Sequence, residues 1–208
     1  MFALSVLIPT MAVGAIAWGV VGVFQWRGRQ GLNLVTAASF YAHVMLMVGG
    51  VIALAGVAVL VKVGLAGIDP SFAYPTIEGP SSPYGPPSLE TQRTQDLILA
   101  TVLFGLGVAM TAAHGILARW LRSMEGGALD WVTRGTVIAA TAVAGLAAIL
   151  SLAIGIYQLS SYILLGPQSA GPFADAIGVA VVFLPAWLVG LAVLVRLLRR
   201  PRPQPASV

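Results

Sequence analysis

Residues 34–65 read LVTAASFYAHVMLMVGGVIALAGVAVLVKVGL, a run in which Lys62 is the single charged side chain. A helix needs roughly 20 predominantly apolar residues to cross a bilayer. This stretch exceeds that need, so it predicts a transmembrane helix that tilts or projects beyond the hydrocarbon. Four further stretches meet the same requirement, at about Phe2–Trp26, Asp96–Leu121, Trp131–Leu165 and Phe173–Leu198. The predicted fold class is therefore all-α: a polytopic membrane protein with five transmembrane helices. Composition agrees. Of 208 residues, 58% are hydrophobic and 9% charged, whereas a soluble domain carries about 25% charged residues. An ordinary cytosolic enzyme and a disordered chain are both excluded. With no cysteine, thiolate metal sites and cysteine nucleophiles are excluded as well.

The cations set the orientation, because Lys and Arg accumulate in cytoplasmic loops. Arg27, Arg29, Arg119, Arg122, Arg134, Arg196, Arg199, Arg200 and Arg202 fall on one side if the N-terminus is outside and the C-terminus inside; Lys62 and Arg93 fall on the other. The first apolar run has no basic residue before it and is read as a retained span rather than a cleaved leader. The expected organisation is a first helix in 1–30, a two-helix unit in 31–125, a second in 126–200 and a basic, Pro-containing tail in 201–208. The expected location is the inner (cytoplasmic) membrane. No motif supports nucleic-acid binding.

The long exterior connection, residues 67–95, holds Pro70, Pro75, Pro80, Pro83, Pro86 and Pro87. Fixed φ angles and missing amide donors oppose helix and central strand there. One reading is a floppy exterior loop. The other is a segment lying extended on a neighbouring protein, with Phe72, Tyr74, Tyr84, Pro86 and Pro87 as the contacts.

Two stretches suggest a duplication. DLILATVLFGLG begins at Asp96 and DAIGVAVVFLPA begins at Asp175, sharing Asp, then Ile at +2, Val at +6 and Phe at +8; each span ends in a basic cluster. Both units cross the membrane twice, so the repeat is parallel rather than inverted. With Asp175 opening the last span, Pro185-x-Trp187 within it and Arg196 following, spans two to five resemble an uncharacterised bacterial family of paired-helix multi-pass membrane proteins. The first unit lacks the Pro-x-Trp element. The resemblance implies architecture and no activity.

Few side chains could carry chemistry. Asp96 and Asp175 are placed at helix N-termini, where a carboxylate favours the exposed amides, and Lys62 is expected to snorkel to the interface. His43 and His114 lie at matched depth, about 12–14 Å from the cytoplasmic helix ends at 1.5 Å per residue. Two imidazoles so placed suggest axial ligands of a b-type haem, or separate ligands of chlorophyll-type magnesium. The competing reading is that each bonds a carbonyl or hydroxyl of the bundle. Small residues in GGVIALAGVA (49–58) and AATAVAGLAAILS (139–151) permit close helix packing, with some left over for another protein.

No catalytic set is present, so the chain is not expected to be an enzyme, or at most an electron-transfer subunit. The function expected is a non-catalytic subunit or assembly element of a larger membrane complex, such as one of electron transport or photosynthesis. Its partners would be other integral membrane subunits and lipid, with no soluble small-molecule substrate. The alternatives are a bis-histidine haem anchor that exchanges electrons with quinone, and a small-solute transporter.

Overall fold

The computed structural model describes residues 34–74, 88–125, 130–166 and 173–199. Four helices account for nearly all of them: α1 (Leu34–Ile68), α2 (Leu89–Glu125), α3 (Asp130–Leu165) and α4 (Phe173–Leu198). All four are long and apolar enough to cross a membrane, and no strand occurs among the described residues. They correspond to the second to fifth predicted spans; the first, at Phe2–Trp26, lies outside the described residues. At 35, 37 and 36 residues, the first three helices outrun a hydrocarbon core of about 30 Å by roughly 20 Å.

The helices form two antiparallel hairpins, α1–α2 and α3–α4, which join chiefly through α1 and α4. The α1–α2 and α1–α4 interfaces are built by a small residue on one helix meeting the backbone of the next. A Cβ at Gly56 would come within 2.6 Å of Phe104 N, and one at Gly107 would collide with the backbone of Ala53. Further round α1, a Cβ at Gly178 would lie 2.6 Å from Ala58 O. Inside lipid there is no hydrophobic drive between helices, so this closeness, and the dispersion contact it brings, is what binds them.

The main core lies where α1, α3 and α4 meet, with Ala55, Ala58, Ala147, Ala148 and Phe183 buried together. The small-residue faces of 49–58 and 139–151 are therefore largely used within the bundle, which corrects the expectation that they exceed its needs. Buried hydroxyls return to their own helix. Thr136 and Thr141 donate to the carbonyls of Val132 and Val137 at 2.9 and 2.7 Å, which satisfies them without a partner across the interface.

The connection between α1 and α2 is shorter and more structured than expected. Helix α1 runs on to Ile68, and α2 begins at Leu89, so the two ends of the predicted 67–95 loop are helical. Ser88 caps α2: its Oγ accepts from Thr91 N at 3.2 Å, satisfying one of the helix's orphan amides. Between them a 3-10 turn, Pro70–Phe72, is capped by Asp69, whose Oδ1 accepts from Ser71 N at 2.9 Å.

Candidate functional site

At the end of the bundle where this turn sits, the charged groups of three helices converge. Lys62 Nζ lies 3.0 Å from Asp96 Oδ2 and 3.3 Å from Asp175 Oδ1. Tyr74 donates its phenol to Asp96 Oδ2 at 2.9 Å, and Lys62 Nζ stands 5.2 Å from the centre of the Tyr74 ring. The side chains of Lys62, Asp96 and Asp175 are only 11%, 20% and 10% exposed. Lys62 lies six residues before the end of α1, about 9 Å inside it, and α2 and α4 deliver the two carboxylates. Lys62 thus does not reach outward to the interface: paired carboxylates hold it inside the bundle, where an unpaired ammonium would be costly. The expectation for Asp175 stands in part, since it occupies the first turn of α4. Asp96 does not start its helix. Ser88 and the polar run ETQRTQ extend α2 backwards from it, placing Asp96 two turns in.

The segment after α1 closes over this cluster. Tyr74 is buried, at 6% exposure, and Phe72 is half-buried. The Phe72 ring packs on Tyr162 and Phe173 at 5.6 and 4.8 Å between centroids. Ser71 Oγ donates to Asp69 Oδ1 at 2.8 Å and lies 3.1 Å from Tyr162 Oη. Phe72 and Tyr74, expected to meet a partner protein, therefore bind their own bundle. The physical reason is that aromatic rings next to an apolar helix end bury area there at once. Tyr84, Pro86 and Pro87 lie outside the described residues.

Burial, and then the hydrogen bond to Asp96, push the Tyr74 phenol well above its ordinary value of 10.0; the charges of Asp96 and Asp175 add to this, and Arg93 opposes it. The folded protein therefore holds this proton more tightly than the unfolded chain does. That contribution is complete below pH 10 and is lost as pH rises above it. Thermal stability in detergent should fall between pH 10 and pH 12 in the wild type and fall less steeply in Tyr74→Phe. Parallel curves would show that Tyr74 does not bear the effect.

The two histidines take their partners near the opposite end. His43 is buried; its Nδ1 donates to Ser39 O at 2.8 Å, and its Nε2 faces Thr133 Oγ1 at 3.4 Å. Arg122 Nη2 donates to the same hydroxyl at 3.0 Å. His114 Nδ1 donates to Met110 O at 2.9 Å, and its ring meets the edge of Tyr41 with centroids 5.6 Å apart. Tyr41 and His43 are two residues apart on α1, so they leave the helix about 200° apart. His114 sits on the Tyr41 side while His43 is turned to α3. The two rings do not converge on one iron, and a bis-histidine haem does not fit this arrangement. Matched depth along two helices carries no information about rotation around them.

The Lys62 cluster was not legible as a unit. Its members were each explicable alone, and the available signals, a lysine within an apolar run and the paired aspartates of the repeat, were read separately. Searches against protein-family models, curated proteins and solved structures found no match.

Proposed function

We propose that the chain is a non-catalytic subunit or assembly element of a larger membrane complex. In this reading it has five spans with the N-terminus outside and the C-terminus inside, and its two hairpins are copies of one unit. The outer face of α2 is the observation that carries it. Thr101, Gly105, Ala109 and Ala113 recur every four residues along that face and are all exposed, and a Cβ at Gly105 would meet nothing within 4 Å. This small-residue spacing allows another helix to approach closely in lipid. Leu106, Val108 and Ile116 flank it and are also exposed.

The polar groups support a structural role. Lys62 pairs with Asp96 and Asp175 and so ties α1 to α2 and α4. A pairing of this kind holds three helices together. Orientation is supported by Arg119, Arg122, Arg134, Arg196 and Arg199 lying at the end opposite Lys62 and Arg93. The duplication is supported by the two matched aspartates reaching the same ammonium.

The protein extracted from its native membrane in mild detergent should migrate with other integral membrane proteins. Gly105→Leu and Ala109→Leu should release them while leaving the melting temperature unchanged. A monodisperse wild-type monomer under those conditions would sink the proposal.

A further inference from the structure

The end of the bundle opposite Lys62 carries five exposed arginines: Arg119 and Arg122 on α2, Arg134 on α3, and Arg196 and Arg199 at the end of α4. Among the described residues, the ion pairs within 4.0 Å are those of Lys62. Glu125 and Asp130, which end α2 and begin α3, leave this end with a positive excess in sequence. One arginine is held in place. Arg122 Nη2 donates to Thr133 Oγ1 at 3.0 Å, and Thr133 in turn faces His43 Nε2 at 3.4 Å. That bond ties α2 to α3 at a point where the two hairpins otherwise touch little. It occupies one of the five N–H donors of the guanidinium and leaves the rest of the fork directed elsewhere.

We propose that Arg122, with Arg119 one turn before it and Arg134 beside Thr133, binds the phosphodiester of an anionic phospholipid. The ligand chemistry follows from the donors. Guanidinium groups match phosphate oxygens bidentately, and these three lie at the ends of helices that outrun the hydrocarbon, at headgroup level. A phosphate there contacts both hairpins and reinforces the Arg122–Thr133 junction between them. The occupant is a lipid rather than free phosphate because the site sits on helices whose apolar flanks continue into the bilayer. Trp120, 55% exposed on α2, offers the acyl chain a surface next to the arginines. The inference uses the multi-pass architecture and does not depend on the subunit reading.

The test uses the full chain in detergent micelles doped with phosphatidylglycerol or phosphatidylcholine, with bound lipid counted by native mass spectrometry. Wild type should retain phosphatidylglycerol in preference to phosphatidylcholine. Each basic side chain near an anionic lipid contributes about fivefold in affinity, so the Arg119→Gln, Arg134→Gln double variant should lose on the order of twentyfold. Both side chains are exposed, so circular dichroism should show that this variant keeps the fold; Arg122→Gln is the second arm and Arg93→Gln, at the far end, the control. Excess inorganic phosphate should fail to displace the lipid. Equal retention of both lipids, equal retention by wild type and the double variant, or displacement by inorganic phosphate alone would each overturn the proposal.

Discussion

Lys62→Met should destabilise the folded protein by about 3–5 kcal/mol, the range for removing one partner from a buried ion pair. The methionine fills most of the space, so the loss is electrostatic: two largely buried carboxylates remain without the ammonium that lay 3.0 and 3.3 Å away. They are not left in equal positions. Asp96 still accepts the Tyr74 phenol at 2.9 Å. Asp175 retains the favourable end of the α4 dipole, a contribution of roughly 0.3–1 kcal/mol. Adding Asp175→Asn to Lys62→Met should therefore recover more stability than adding Asp96→Asn, and the triple variant should recover most of it. Unfolding in mixed micelles followed by circular dichroism reads all four. If Lys62→Met melts with the wild type, the cluster does not hold the hairpins together.

Gly107→Leu and Gly105→Leu, two positions apart on α2, should behave as opposites. A Cβ at Gly107 runs into the backbone of Ala53 and lies 2.7 Å from Gly49 O, whereas one at Gly105 meets nothing within 4 Å. Backbone cannot rotate aside as a flexible side chain can, so α1 and α2 must separate. The cost should be about 3 kcal/mol, at the upper end of ordinary overpacking. Gly105→Leu should change stability by less than about 0.5 kcal/mol, as surface substitutions do. Its effect should instead appear in partner retention. Unfolding of both variants in mixed micelles, followed by circular dichroism, reads the difference. Equal melting of the two leucine variants would count against this account of the α1–α2 interface.

Much of the architecture could be read from local composition. The four described spans were each predicted, and α3 and α4 came within a residue or two of their observed bounds. The larger errors fell at polar ends. The start of α2 was placed at Asp96 because hydropathy begins there, although Ser88 and Thr91 spell a cap a full two turns earlier. The rings of Phe72 and Tyr74 were assigned to a partner because sequence spacing does not reveal that a short turn folds back over the ends of the other three helices. The histidines were paired by depth, which spacing does give, and not by azimuth, which depends on how α1 rotates against α2 and α3.

Whether a segment is apolar enough to enter a bilayer is a property of some twenty consecutive residues, and the chain alone therefore determined that this is a multi-pass helical membrane protein. Which charges neutralise one another is not local. Lys62, Asp96 and Asp175 come from three different helices and meet only because small residues on α1, α2 and α4 let those helices approach and fix their rotation. Tertiary packing decided that meeting, and with it the change from a snorkelling lysine and two helix caps to one ion cluster. The cost of leaving any of the three charges unpaired where the bundle buries them is what makes the arrangement specific.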